Sequence, residues 1–108
     1  METNIDADKA TQIARKFLQD NYGNIGMLLY RIESVEPNKE KTIYKVLCSI
    51  LPNIGASERI FYFLRINIAK GTIEDAFVGK EEIRNDEKVI VLEKRIIKDG
   101  KEEEIPKE

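Results

Sequence analysis

Histidine and tryptophan are absent from this 108-residue chain, and cysteine occurs once, as Cys48. Without histidine there is no Ser-His-Asp triad, no histidine general base and no histidine-ligated zinc. A lone cysteine forms no disulfide within the chain, and thiolate zinc sites need several cysteines. The surrounding apolar run, IYKVLCSIL, predicts that Cys48 is a small buried side chain and not a reactive thiol. We therefore expect no metal, no other cofactor and no enzymatic activity.

Long apolar runs are also missing: none approaches the ~18–20 residues of a membrane span. The N-terminal stretch METNIDADKA is polar and acidic, unlike a signal peptide. These features predict a cytoplasmic protein without membrane attachment. The 18 basic and 20 acidic residues leave a net charge of −2, and they are interspersed. Because nucleic-acid binding needs a basic patch, we expect no nucleic-acid partner.

The length and composition predict a single globular domain over residues 1–108. Apolar residues make up 42% and charged residues 35% of the chain, which is typical of a folded protein. A chain of this size buries roughly 60–65% of the surface that its unfolded form exposes. The many Lys, Glu and Ile residues resemble the composition of proteins from hot environments.

Residues 6–22, DADKATQIARKFLQDNY, predict an amphipathic helix. Asn4 or Asp6 can accept a hydrogen bond from the first-turn amides, and Gly23 is placed to end the helix in the left-handed conformation. The apolar residues recur at helical spacing and would lie on one face: Ala7, Ala10, Ile13, Ala14, Phe17 and Leu18.

From residue 27 onward the pattern is that of strands. The segments MLLYRIESVE, TIYKVLCSIL and RIFYFLRINIA are rich in β-branched and aromatic residues. They are joined by PNKEK and PNIGASE, which are too short for a parallel crossover. The sequence therefore predicts an α+β fold, with the helix packed on an antiparallel sheet of four to six strands.

A hairpin is predicted where Ile68 and Thr72 flank the three-residue connection AKG. Gly71 would take a positive φ in a type I turn followed by a glycine bulge. This register would pair Ile66 with Glu74, Leu64 with Ala76 and Tyr62 with Val78.

Residues 80–108 leave two alternatives open. KVIVLEKRII is β-branched and favours a strand, whereas Asn85 or Asp86 could begin a helix that ends at Gly100. We predict the strand. Residues 99–108 are expected to form a hairpin return at the Asp-Gly dipeptide or a frayed tail.

The order of elements over residues 6–78 resembles PepSY-like and cystatin-like α+β domains. The counterparts of the PepSY opening helix and hairpin are ADKATQIARKFL and INIAKGTIEDA, in which Gly71 and Ile73 match the turn pattern. Asn67 stands where that family usually has aspartate, and Lys70 replaces a threonine. The resemblance implies a role in binding peptides or inhibiting proteases, although the Gln-x-Val-x-Gly loop of cystatins is not present.

The hairpin register assigns side chains to two sheet faces. The face covered by the helix would carry Tyr62, Leu64, Ile66, Ile68, Ala76 and Val78. The other face would carry Phe61, Phe63, Arg65, Ile73, Asp75 and Phe77, and it is the candidate interaction face.

Three covers compete for this second face: residues 88–97 of the same chain, a second copy or protein partner, and a small-molecule ligand. We predict a non-catalytic binding module that forms a homodimer, since aromatic residues and arginine are typical interface anchors. The alternative is a ligand-binding or enzymatic cone like that of nuclear transport factor or ketosteroid isomerase. In that cone Asp75 would be the base, and Tyr30, Tyr44 or Tyr62 would be the oxyanion donor.

Overall fold

The computed structural model describes residues 4–26, 30–51, 55, 57–98 and 101–102. Within these residues one helix precedes six strands, each antiparallel to the strand before it, so the sheet order follows the chain. The elements are α1 (Ala7–Gly26), β1 (Arg31–Pro37), β2 (Ile43–Ile50), β3 (Ile60–Asn67), β4 (Ile73–Arg84), β5 (Glu87–Lys98) and β6 (Lys101–Glu102). The predicted α+β fold is confirmed.

The helix begins where its capping residue predicts and ends later than predicted. Asp6 caps it, since Oδ1 of Asp6 accepts a hydrogen bond of 2.8 Å from the Lys9 amide. The expectation that Gly23 ends the helix is wrong, because α1 continues to Gly26. Of the glycines in the described residues, Gly71 alone has a positive φ. A glycine within a helix weakens it by ~0.5–1 kcal/mol but does not stop it.

The core lies between α1 and one face of the sheet. Ala10, Ala14 and Leu18 of the helix are fully buried, and the two alanines allow the helix backbone to approach the strands closely. The buried sheet residues in contact with them form one cluster: Val46, Cys48, Ile50, Tyr62, Leu64, Ile66, Ala76 and Ile97. This apolar layer fixes which face of the sheet the helix covers.

The β3–β4 hairpin differs from the prediction in its connection. Gly71 has φ +71°, so its left-handed conformation is confirmed. The Asn67 amide donates to the Thr72 carbonyl (2.8 Å), however, and the Asn67 carbonyl accepts from the Gly71 amide (2.7 Å). The connection therefore has four residues, from Ile68 to Gly71, and the three-residue turn is wrong. The side-chain oxygen of Asn67 favours this wider turn by accepting from the Lys70 amide (2.9 Å).

The wider turn changes the position of the β-bulge and part of the residue pairing between β3 and β4. Tyr62 pairs with Val78 and Leu64 with Ala76, as predicted. Ile66 pairs with Ile73 and not with Glu74, because the ladder shifts between Arg65 and Ile66. Glu74 therefore occupies a β-bulge.

Gly71 supports a test of the hairpin. Gly71→Val should lower the free energy of unfolding by more than ~1 kcal/mol, because a β-branched residue is strained at positive φ. Its Cβ would also lie 3.4 Å from Cγ2 of Ile5. Denaturant unfolding measures the change, and Gly71→Asn is the control because asparagine tolerates the left-handed region. An unchanged midpoint for the valine variant would contradict the turn assignment.

Residues 80–84 and 87–98 lie in strands, so the strand alternative is confirmed and the helix is wrong. Asn85 and Asp86 have φ of 51° and 65°, and they join the paired residues Arg84 and Glu87. Two consecutive positive φ values define a type I′ hairpin turn, for which asparagine and aspartate are suitable residues. Asn85 and Asp86 were considered only as possible caps of the alternative helix, so this turn was not predicted.

The β4–β5 hairpin extends beyond the rest of the sheet. The β3–β4 ladder ends at the pair Phe61 and Gly79, whereas the β4–β5 ladder continues to Arg84 and Glu87. Residues 80–91 therefore form a two-stranded ribbon, and its Ile83 is 72% exposed.

The chain ends are described only in part. Lys101 pairs with Lys98 and Glu102 with Ile97, which corresponds to the hairpin-return alternative. The predictions for residues 99–100 and 103–108 lie outside the described residues. The predicted start of the first strand, at residues 27–29, also lies outside the described residues.

Candidate functional site

The candidate interaction face lies on the side of the sheet opposite α1, and it is called the helix-free face below. The β3–β4 register places Phe61, Phe63 and Phe77 on it. The rings of Phe63 and Phe77 contact each other in a tilted arrangement, with centroids 6.3 Å apart. Both are half-buried, whereas Phe61 is only 3% exposed. The partly accessible aromatic surface is therefore the Phe63–Phe77 pair.

Ile73 does not belong to this face, and its assignment to it is wrong. Ile73 pairs with Ile66, which is fully buried beneath the helix, and directly paired residues share a face. Ile73 itself packs against the core. The physical reason is the bulge at Glu74, since one extra residue shifts the alternation of the strand to the other face.

Charged groups border the phenylalanine pair. Arg65 and Asp75 are directly paired, and Nη1 of Arg65 lies 3.2 Å from Oδ2 of Asp75. The Asp75 side chain is 13% exposed and that of Arg65 is 45% exposed. On the other side, the guanidinium of Arg95 lies over the Phe77 ring at 5.0 Å from its centroid. Arg65 and Asp75 lie on the face that the hairpin register predicts, whereas Arg95 was not predicted there, because the sequence assigns no register to β5.

Of the three competing covers, the one formed by residues 88–97 of the same chain is wrong. Residues 87–98 form β5, which pairs edge to edge with β4 and continues the sheet in its own plane. The helix packs on the opposite side. Within the described part of the chain, neither the helix nor the backbone of β5 covers the Phe63–Phe77 pair, and the side chain of Arg95 lies over the Phe77 ring.

A polar network lies at the end of the helix-free face where β2 ends. The hydroxyl of Ser49, a fully buried residue, donates to Oε1 of Glu33 (2.8 Å) and accepts from Nη1 of Arg59 (3.1 Å). Nε of Arg31 donates to the same Oε1 at 2.7 Å. Burial acts to raise the pKa of Glu33, but the hydrogen bonds from Arg31 and Ser49 outweigh it, so the pKa lies below its usual value.

Sequence reasoning missed this network because its members are far apart in the chain. The network joins β1, the end of β2 and the residue before β3. These three segments come together only because Arg31 pairs with Ser49 and Ser49 pairs with Phe61. The serine within the apolar run CSIL was the one available signal, since a buried hydroxyl needs a hydrogen-bond partner.

The residues of the enzymatic alternative are not brought together. Asp75 lies on the helix-free face, whereas Tyr62 is in the core beneath the helix and Tyr44 and Tyr30 pack against that core. The sheet therefore separates the carboxylate from the tyrosines. Cys48 is fully buried, as predicted, and its thiol lies 3.7 Å from the Tyr62 carbonyl oxygen. Burial raises the pKa of Cys48 to about 12, which disfavours the reactive thiolate.

Two general findings apply to the residues that the structure describes. No three cysteine, aspartate or glutamate side chains among them lie together in a way that could hold a metal ion. The one helix, α1, is not long and apolar enough to cross a membrane.

The architecture defines an α+β protein with one helix on one face of an antiparallel meander. Comparison with protein-family models, with curated proteins and with solved structures found no match to this chain. The resemblance to PepSY-like and cystatin-like domains therefore stays a prediction.

Proposed function

We propose that this domain is a non-catalytic interaction module of the cytoplasm, and that it forms a homodimer through the helix-free face. The observation that carries the proposal is the half-buried Phe63–Phe77 pair, flanked by the Arg65–Asp75 ion pair. Aromatic residues and arginine are enriched among residues that dominate binding energy at interfaces. The PepSY-like order of elements supports a binding role.

The arrangement of these four residues favours a second copy over another partner. Phe63 and Arg65 lie on β3, directly opposite Phe77 and Asp75 on β4. In the proposed dimer the helix-free faces of two copies meet, and the two-fold axis lies between the two sheets, parallel to the strands and midway between β3 and β4. Each β3 then lies against β4 of the other copy. This arrangement places Phe63 against Phe77 of the second copy, and Arg65 against the second copy's Asp75. The face is thus self-complementary, because aromatic residues meet aromatic residues and each base meets an acid, as a two-fold interface requires.

The first test replaces the aromatic anchor. We expect the wild type to be a dimer and Phe63→Glu to be a folded monomer, with dimer affinity reduced about 30-fold or more because a charge replaces an interface anchor. Sedimentation equilibrium measures the association, and circular dichroism checks the fold. Gln12→Glu, at an exposed helix position on the other side of the sheet, is the matched control. A wild type that stays monomeric at the highest attainable concentration would refute the dimer.

A charge exchange tests the geometry of the proposed dimer. Arg65→Asp alone and Asp75→Arg alone should each dimerise poorly, because four like charges would meet at the interface. An equimolar mixture of the two variants should form a heterodimer, since each acid then faces a base of the other chain. If the mixture associates no better than either variant alone, the proposed pairing of Arg65 with Asp75 across the interface is wrong.

A further inference from the structure

The sheet has an open edge along the ribbon. Among the described residues, β5 pairs with β6 only at Ile97 and Lys98, so no described strand lies beside the outer edge of residues 87–92. The other edge strand, β1, is protected by a shift of register after Ile32 and by Pro37 at its end. Residues 87–92 contain neither a bulge nor a proline. Their unpaired backbone groups are a template for a further strand.

The ribbon presents apolar side chains on both of its sides. Ile90 and Leu92 lie on the side continuous with the helix-free face, because Leu92 pairs with Gly79 of that face. Val89 and Val91 lie on the opposite side. An isolated two-stranded ribbon is only marginally stable in water. A strand added beside β5 would stabilise it through backbone hydrogen bonds and through cross-strand apolar contacts.

The charged residues around this edge divide into two groups. One group forms ion pairs within the chain: Lys80, Glu81, Glu82, Arg84, Lys88 and Glu93. Among the described residues, the other group has no ion pair: Asp86, Glu87, Lys94 and Arg95. Its two acids precede the apolar run of residues 89–92, and its two bases follow that run. An antiparallel second copy therefore brings the acids of each chain toward the bases of the other.

Strand alternation gives this complementarity a definite register. Two antiparallel copies of β5 are related by a two-fold axis normal to the sheet, so paired residues must lie on the same side. With the axis at Ile90, Val89 pairs with Val91 of the second copy. Glu93 is the extra residue of a bulge, which places Lys94 on the same side as Glu87. Glu87 then faces Lys94 of the second copy.

The neighbouring registers are less favourable. An axis at Val91 would set Lys88 against Arg95 of the second copy, so that two bases meet. An axis at Val89 would set Glu87 against Val91, so that the charge faces an apolar side chain. Only the axis at Ile90 combines apolar pairs at the centre with opposite charges at both ends.

We propose that β5 pairs with β5 of a second copy in antiparallel orientation, with the two-fold axis at Ile90. Two ribbons then form one four-stranded sheet. The contact uses neither Phe63 nor Phe77, so it is independent of the proposed dimer. Because the ribbon projects beyond the rest of the sheet, the two chains lie at opposite ends of the contact, and both interfaces can form in one assembly. The edge contact is small and should form only at higher protein concentration than the helix-free dimer.

Cysteine variants in the Phe63→Glu chain test the register without association through the helix-free face. Ile90→Cys should form a disulfide-linked dimer in a glutathione redox buffer, because Cα atoms of paired residues lie about 4.5–5.5 Å apart. Val89→Cys and Val91→Cys should each stay unlinked, since diagonal neighbours lie about 7–8 Å apart. An equimolar mixture of these two variants should link. Non-reducing electrophoresis measures the product.

Two features of the chain control this experiment. Cys48 is fully buried, and the pKa of its thiol is raised to about 12, so it should not take part. Ile83→Cys presents a more exposed thiol on β4 of the same ribbon, which is not adjacent to the second copy, and it should stay unlinked. Circular dichroism shows whether each variant folds, and the same cysteines in the wild-type chain replace the series if Phe63→Glu does not fold.

A charge exchange in the Phe63→Glu chain gives a second measurement. Glu87→Lys alone and Lys94→Glu alone should each weaken the edge contact about tenfold, because like charges then meet at both ends. An equimolar mixture should recover the association, which sedimentation equilibrium measures. The proposal is overturned if Ile90→Cys does not link, if Val89→Cys or Ile83→Cys links as fast, or if the charge mixture gains nothing. A wild type that is monomeric while Ile90→Cys links would refute only the helix-free dimer.

Discussion

Gly79→Ala should lower the free energy of unfolding by about 2 kcal/mol or more, although it adds only one methyl group. A Cβ at Gly79 would overlap the carbonyl oxygen of Val91 and lie 3.0 Å from Cα of Leu92. These are backbone atoms of β5, which the β4–β5 ladder holds in place. The methyl group can therefore be accommodated only if the two strands move apart.

Denaturant unfolding and amide hydrogen exchange measure this effect together. Besides the lower midpoint, we expect protection of the amides in residues 80–91 to fall more than protection in β2 and β3. Glu87→Ala, an exposed strand position on the same ribbon, is the control and should change stability little. A midpoint for Gly79→Ala equal to that of the wild type would show that β4 and β5 are not in such close contact.

Leu18→Ala should destabilise the protein by about 2–5 kcal/mol, the usual range for a fully buried leucine. Among helix residues 7–20, whose burial the structure describes, Leu18 is the one large side chain that is fully buried, together with Ala10 and Ala14. Its removal leaves a cavity between α1 and the sheet that the alanines cannot fill. Thermal or denaturant unfolding gives the magnitude.

Two further variants make the Leu18 result specific. Leu18→Met nearly conserves volume and should cost less than about 1.5 kcal/mol. Gln12→Ala changes an exposed position of the same helix and should have almost no destabilising effect. A loss below about 1 kcal/mol for Leu18→Ala would contradict the packing of the helix on the sheet.

Local patterns in the sequence were sufficient to predict the order of the helix and strands and the buried face of α1. The helical spacing of Ala10, Ala14 and Leu18 identified the face of α1 that is buried, and one of the two predicted capping residues, Asp6, marks its start. The short connections predicted antiparallel neighbours, and Gly71 predicted a positive φ. These features depend on steric preferences and hydrogen bonds within a few residues, so they can be read from the chain itself.

The tertiary structure decided everything that depends on register between distant strands. The side chain of Asn67 widened the hairpin, and the resulting bulge at Glu74 moved Ile73 from the predicted interaction face to the helix-covered face, where it packs against the core. The Arg31–Ser49–Arg59 network likewise exists only because three separate segments pair in one register. A shift of one residue reverses the face of every following side chain. Composition and periodicity do not specify that shift, because it depends on which turn the Asn67 side chain stabilises and on which register buries apolar side chains beneath the helix.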